Sequence, residues 1–406
     1  MPFEVKRANK AFNRLLKATL GKYLLRKYRI DCINPINPNL KPPYIILANH
    51  VNNWDPFFIG QFVKEPVHYV ASDEQFRNPV KRFFFQNLLG IIPKTKFVSD
   101  METVKQIIQL IKKDAVIGIF PEGMRNWDGH TGELLPSTSK LIKMLKLPVI
   151  ACILEGSYLS HPRWSLYDKI GPISLDFRQV LSPEDLHSMT TEQIHQSLRA
   201  ALAHDEYQLQ YQRQIPYKGK RLAEHLEQFL FICPSCHSIA SLRSDMDRFY
   251  CQCCSYEVCY TQTGFFSSPA EKVLYKEPQS WNQWQLQFLW DCLKAASNTT
   301  EEKILFRDKD AALFTAGRYE PLRKLEEGQL TLSHHFYFIR QDSSILNFEL
   351  DRIAGLNVQY SNELEFYYDK QLYRFKFKDP RTSAYKWTAA LELLQNIYRD
   401  PNERRD

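Results

Sequence analysis

Two short runs without a charged residue, Tyr44-Ile45-Ile46-Leu47-Ala48 and Ala115-Val116-Ile117-Gly118-Ile119-Phe120, each end abruptly in a polar, ring-bearing stretch. Apolar runs of this length bounded by turn signals read as strands buried on both faces, the kind found inside an open α/β sheet. Such strands deliver their following loops to one edge of the sheet, where ligand sites form. The first run delivers Asn49-His50-Val51-Asn52-Asn53-Trp54-Asp55-Pro56, and about seventy residues later the second delivers Pro121-Glu122-Gly123-Met124-Arg125. Asp55-Pro56 reads as the N-cap and first position of a helix, so His50 sits at a strand-to-helix crossing.

A histidine acting as general base needs a carboxylate to fix its tautomer and steady the imidazolium, and His50 and Asp55 are close enough to meet across one turn. Alone, the pair reads as a surface contact, with Asp55 a helix cap. The second loop at the same edge changes the balance. Arg125 is there as an anion ligand, and Glu122 as either a substrate contact or a brace.

The His-x4-Asp pattern of residues 50–55, the Phe120-Pro-Glu-Gly-Met-Arg125 block, Gly90-Ile-Ile-Pro-Lys-Thr-Lys96 between them and Leu147-Pro-Val-Ile-Ala-Cys-Ile153 after them resemble the 1-acylglycerol-3-phosphate acyltransferases of phospholipid biosynthesis. The resemblance covers roughly residues 35 to 215. Two features depart from it: Lys96 stands where the family commonly has Arg, and Ala151 where it often has a second Pro. It implies that His50 deprotonates a hydroxyl attacking an acyl thioester, with Asp55 orienting the ring. Lys94, Lys96, Glu122, Gly123 and Arg125 are then the substrate-binding residues, with backbone amides around Gly123 facing the oxyanion. The donor would be acyl-CoA or acyl carrier protein, and the acceptor a lysophospholipid. Neither Gly-x-Ser-x-Gly nor a cysteine in the two blocks suggests a covalent acyl-enzyme. The competing readings are a different acceptor, glycerol-3-phosphate or phosphate-free, and a noncatalytic adaptor built on a retired acyltransferase domain.

At 406 residues the chain is too long for one typical domain, and 44% hydrophobic with 24% charged residues fits ordinary globular modules. Its net charge is +7, yet residues 1–30 alone hold nine Lys and Arg against Glu4, a local charge of +8. Lys6, Lys10, Arg14 and Lys17 recur at helical spacing opposite Val5, Ala8, Phe12, Leu15 and Leu16, with Gly21 dividing two helices. That is the pattern of an interfacial helix on an anionic membrane. No run reaches the roughly 20 apolar residues of a spanning helix, and the charges argue against a signal peptide. The expectation is a peripheral protein on the cytoplasmic face of a membrane. Because the remaining residues carry no basic excess, nucleic acid is not an expected partner.

Cys233-Pro-Ser-Cys236 and Cys251-Gln-Cys-Cys254 form a C-x2-C…C-x2-C pattern. Four thiolates from two knuckles make a closed tetrahedral site for a structural Zn2+. Cys32, Cys152, Cys253, Cys259 and Cys292 lie outside it, and this cysteine usage suits a reducing compartment. A helix is expected around Arg221–Leu230 and another within Ser280–Lys294, the latter carrying Trp281, Trp284, Phe288 and Leu289 on one face. Strands are expected over Gln329–Ser333, Phe336–Arg340, Ile345–Leu350, Leu356–Tyr360, Leu364–Tyr368 and Leu372–Phe377. A final helix follows, lined by Trp387, Ala390, Leu391, Leu394 and Tyr398. Strands followed by a Trp-bearing helix resemble pleckstrin-homology-like or GRAM-like domains. The fold expected is therefore α/β: a membrane-interface segment at 1–30, an acyltransferase sheet-and-helix domain at 31–218, a zinc ribbon at 228–262, a helical connector at 263–300 and a β-barrel-plus-helix domain at 301–400.

Overall fold

The computed structural model describes residues 5–95, 100–268, 272–299 and 302–399. They fall into two compact units, Met1–Arg163 with Asp168–Gly219, and Trp164–Tyr167 with Lys220–Asp406. The first is built on seven strands: β1 (Ile30–Asn34), β2 (Tyr44–Ala48), β3 (Val67–Ser72), β4 (Ile92–Lys94), β5 (Val116–Ile119), β6 (Val149–Glu155) and β7 (Ile173–Leu181). Their order is β1-β7-β6-β2-β5-β3-β4. Strands β2 to β6 run parallel, whereas β7 is antiparallel to β6 and parallel to β1. All five residues of the central β2 are buried. Alternation sends Ile46 and Ala48 into a core with Phe58 and Ile150, and Ile45 and Leu47 into the opposite core with Ile107 and Ile142.

The parallel register matters for the site. Val70 of β3 pairs with Ile92 of β4, so the intervening segment does not cross to the other end of the sheet. It stays at the edge where β2 and β5 end, and there forms the helix Pro79–Phe84 continuing into the π-helical turn Phe85–Leu89. At the N-terminus, α1 (Lys10–Leu16) and α2 (Lys22–Lys27) are joined by a π-helical turn, Lys17–Gly21. Gly21 therefore does not divide the segment as expected; a Cβ there would lie 1.8 Å from the Gln61 side chain. Its role is close approach to α3 (Asp55–Phe62).

The second unit contains an antiparallel sheet of β8 (Leu242–Asp245), β9 (Arg248–Cys251), β10 (Glu257–Tyr260) and β11 (Phe266–Ser267). The helix Pro278–Ser297 buries Trp281 against Phe249, Tyr256 and Phe266, its indole N–H donating to the Ile232 carbonyl at 3.0 Å. No α-helix forms over Arg221–Leu230. Arg221 and His225 both adopt left-handed backbone conformations, which interrupts a helix, and one 3-10 turn at Leu226–Gln228 remains.

Seven further antiparallel strands follow: β12 (Phe306–Thr315), β13 (Arg323–Leu332), β14 (Phe336–Arg340), β15 (Ile345–Phe348), β16 (Ile353–Gln359), β17 (Glu363–Tyr368) and β18 (Gln371–Phe377). Their order is β15-β14-β13-β12-β18-β17-β16. Phe348 on β15 lies 5.2 Å, ring to ring, from Phe366 on β17, although four strands separate them in the sheet. The sheet must therefore curl on itself. Trp387 of the terminal helix Ala384–Arg399 fills the curl against Phe306, Phe336 and Phe377. Ala390, Leu391 and Leu394 are buried with it, whereas Tyr398, expected on the same face, is largely exposed.

Candidate functional site

The loop after β2 folds back over Asp55. Its carboxylate, fully buried, accepts His50 Nδ1 at 3.0 Å and the backbone N–H groups of Val51 and Asn52 at 2.8 Å each, all on Oδ2. Asp55 is thus the first residue of α3 and not its cap; Trp54 holds the cap position. The side chain turns upstream toward the imidazole, away from the helix amides a cap would bind. With Nδ1–H donated to Asp55, the basic lone pair belongs to Nε2. Phe120, the last residue before the second loop, stacks on the His50 ring at 4.1 Å.

The second loop is tied directly to the first. Asn126 N–H donates to the His50 carbonyl at 2.9 Å. Glu122 accepts His50 N–H at 2.7 Å on one oxygen and Gly132 N–H at 2.9 Å on the other. Its carboxylate is buried and faces inward, so of the two roles open in the sequence the geometry assigns it the brace. Burial lifts the Glu122 carboxyl to about 7, against the pull of those two amides.

Gly123 takes a positive φ of 75° and donates its N–H to the Phe120 carbonyl at 3.0 Å. Its own amide therefore closes a turn within the loop. The next two amides, of Met124 and Arg125, have no acceptor among the described residues. The Arg125 guanidinium forms no ion pair among the described residues, and burial lowers its pKa to about 10 despite the attraction of Asp55. Such a group gains by meeting an anion. Arg163 fixes the loop from behind, donating to the Arg125 carbonyl at 2.8 Å with its guanidinium over the Trp127 ring.

Lys94 ends β4 at the same sheet edge, opposite Ser72. Three strand steps separate β4 from β2, about 14 Å at ~4.8 Å per step. Arg125, following the adjacent β5, is the nearer cation. Lys96 lies outside the described residues.

Sequence reasoning missed three supports. Asn49 pairs its side-chain amide with both the C=O and N–H of Leu154, at 3.1 and 2.8 Å. Ser157 Oγ donates to Asp55 Oδ1 at 2.8 Å. Glu206 accepts Gly156 N–H on both oxygens, at 2.9 and 3.0 Å. The one signal available was position, since Gly156-Ser157 follows directly on the strand that begins at Val149.

In the second unit the Sγ atoms of Cys233, Cys236, Cys251 and Cys254 lie within 4.8 Å of one another. Cys233 and Cys254 are 3.7 Å apart, as are Cys236 and Cys251. A tetrahedron with metal–sulfur bonds of ~2.3 Å has edges of about 3.8 Å, so the donor set fits a thiolate-bound zinc ion. Ser238 and Ser241 hydroxyls lie 3.0 and 3.3 Å from the Cys236 and Cys251 sulfurs, as outer supports.

Residues 29–155 match the Acyltransferase family model. Among similar proteins, a 1-acyl-sn-glycerol-3-phosphate acyltransferase of Cocos nucifera is 25% identical over 150 residues, covering 35% of this chain and 46% of the relative. One of Pseudomonas aeruginosa is 28% identical over 132 residues, covering 31% and 49%. The chain thus spans about half the length of the relatives it matches. The crystal structure of the 1-acyl-sn-glycerophosphate acyltransferase PlsC from Thermotoga maritima aligns with a TM-score of 0.41 at 16% identity, covering 50% of this chain and 81% of that one. The segment that carries the His50–Asp55 dyad and the Glu122–Arg125 loop is therefore an acyltransferase-like domain.

Proposed function

We propose that this chain transfers a fatty acyl group from an acyl thioester, acyl-CoA or acyl carrier protein, to a hydroxyl of 1-acylglycerol-3-phosphate. The observation that carries the reading is the buried Asp55 carboxylate holding His50 Nδ1, beside an Arg125 guanidinium with no ion pair among the described residues. His50 Nε2 takes the hydroxyl proton as the acceptor oxygen attacks the thioester carbonyl. The negative charge that develops on the thioester's carbonyl oxygen meets the Met124 and Arg125 amides. When the tetrahedral intermediate collapses, the C–S bond breaks, the ester forms and the imidazolium returns its proton to the leaving thiolate. Arg125 holds the acceptor phosphate and thereby sets the reacting hydroxyl.

The proposal extends to an anionic membrane surface, on the cytoplasmic face. Leu15 and Tyr23 are exposed among the basic residues of α1 and α2. Val80, Phe83 and Phe84 are exposed beside Lys81 on the helix that stays at the site's edge. Apolar side chains interleaved with cations suit the headgroup region. No described helix is long and apolar enough to cross a membrane. Among the described residues, four cations of the segment are engaged with its own unit: Arg7 with the Asp114 carbonyl, Lys10 with Glu65, Lys17 with the Val63 carbonyl, and Lys27 with Asp168. In the second unit we read residues 228–262 as a zinc ribbon whose Zn2+ cross-links two knuckles and takes no part in chemistry. The curled sheet and terminal helix serve as a pleckstrin-homology-like module.

A panel of lysophospholipid acceptors and glycerol-3-phosphate, each offered acyl-CoA and acyl carrier protein, tests the reading. Acylation of 1-acylglycerol-3-phosphate above the others is expected. Failure of every acceptor with both donors would leave the adaptor reading.

A further inference from the structure

We infer that Ser157 is a positioning residue for the His50–Asp55 dyad, and that Glu206 holds Ser157 in place. The inference rests on reading the dyad as acid–base machinery.

Oδ2 of Asp55 receives all its donors from the loop in which Asp55 itself lies. Those contacts pin one oxygen. A carboxylate still turns about its last bond, a broad and weakly restricted torsion. The Ser157 hydroxyl, 102 residues away in sequence, meets the other oxygen at 2.8 Å and sets the plane in which Oδ2 faces the imidazole.

The structure over-determines where Ser157 stands. Gly156 has a φ of 80°, and a Cβ there would lie 2.3 Å from the Pro172 carbonyl oxygen, so the backbone admits no side chain. Gly156 N–H is clamped by both oxygens of Glu206, itself buried, and His204 Nε2 lies 3.3 Å from that carboxylate. Two residues earlier, the Asn49 amide locks Leu154 to the start of the His50 loop. Ser157 and Asp55 are both fully buried, so no water competes for this hydrogen bond. The family match ends at Glu155 and does not reach Gly156, Ser157 or Glu206.

Removing the hydroxyl leaves a buried carboxylate oxygen without a donor. The charge on Asp55 is then less dispersed, its attraction for the imidazolium strengthens, and the His50 pKa rises. Among the described residues, four titratable groups face the pair from the neighbouring elements. Tyr69 of β3 and Cys152 of β6 are held neutral by burial. Glu122, whose carboxyl burial lifts to about 7, and the cationic Arg125, both from the loop after β5, are the same in every variant compared.

The test is an NMR titration of the His50 imidazole in the full chain, assigned by loss of its signal in His50→Gln. Ser157→Ala should raise the His50 pKa by about one unit. Ser157→Thr, which keeps a hydroxyl, should return it to the wild-type value. In assays on 1-acylglycerol-3-phosphate, Ser157→Ala should move the acidic limb of the rate profile the same way and lower kcat roughly tenfold or more, with little change in KM. An unchanged titration in Ser157→Ala overturns the inference and leaves the acyl-transfer reading standing. Equal shifts in the Ala and Thr variants also overturn it, because packing would then be the cause. A shifted and rescued titration in a chain that acylates nothing supports the inference about the dyad and removes only the proposed reaction.

Discussion

The His50–Asp55 loop and the four-cysteine cluster are both assembled from residues a few positions apart, and they differ in what they leave open. At the first, Asp55 is sealed and saturated with donors while the His50 side chain keeps 20% of its surface. At the second, four sulfurs lie within 4.8 Å of one another, the number that would fill every position of a tetrahedral metal. A centre that exchanges protons with a substrate needs an open side. One that cross-links the chain needs none. Substitution at the cluster should therefore act on folding, and substitution at His50 on rate.

The largest effect is expected at the closed centre. Zinc bound by four thiolates contributes on the order of 10 kcal/mol to a small module. Chelation or Cys251→Ser should lower the melting transition of the second unit and leave that of the first in place, with about one zinc per chain lost. Purified protein free of zinc, with an unchanged melting profile in Cys251→Ser, would remove the contrast altogether. At the open centre, His50→Ala should lower kcat by about 10² to 10⁴ while the melting profile stays close to wild type. Wild-type turnover by that variant refutes the acyl-transfer mechanism.

Those two centres were legible in the sequence because their geometry is local. Six residues span the dyad, and two C-x2-C knuckles span the cluster. What was not legible depends on distant contacts or on backbone conformation. Ser157 reaches Asp55, and Asn49 reaches Leu154, across more than one hundred residues. Whether the Gly123 amide faces a substrate or closes a turn is decided by a local φ that composition does not encode. Strand β12 was passed over because Arg307-Asp-Lys-Asp310 hides its apolar alternation, and the structure accommodates those charges with a register shift between Asp308 and Ala311. The charged start of β13, Arg323 to Glu327, was lost in the same way.

A second closed centre sharpens the contrast without a metal. Arg374, fully buried in the curled sheet, donates to Glu365 at 2.7 Å through Nε and to Glu363 at 3.3 Å through Nη1, while Gln359 supplies Glu365 with another donor. Breaking one side of such a pair leaves an uncompensated buried charge. Arg374→Met should destabilise the second unit by roughly 3 kcal/mol in urea denaturation, with turnover per folded molecule unaffected. A loss of turnover without a loss of stability would contradict the division between closed and open centres. At the open site, Arg125→Gln should raise KM for a phosphate-bearing acceptor about ten- to a hundredfold, with a smaller effect on kcat. If a phosphate-free acceptor suffers equally, Arg125 positions the loop and not the phosphate.

The smallest expected effect joins the two kinds of behaviour in one residue. Glu122 is buried like Asp55, yet its carboxyl is pushed up to about 7 because burial outweighs its two amide donors. A carboxyl whose folded pKa exceeds its unfolded value binds more protons when native, so stability falls as pH rises between the two values. Its contribution is fully present below about pH 4.3, the ordinary glutamate value, and is lost as pH rises through about 7. Glu122→Gln should remove that slope, so the gap between wild type and variant should shrink by on the order of 1 to 2 kcal/mol from pH 5 to pH 8. Urea denaturation at those two pH values measures it. Equal slopes in the two proteins would mean that Glu122 is ionised throughout, and that its hold on His50 N–H and Gly132 N–H is strong enough to overcome the cost of its burial.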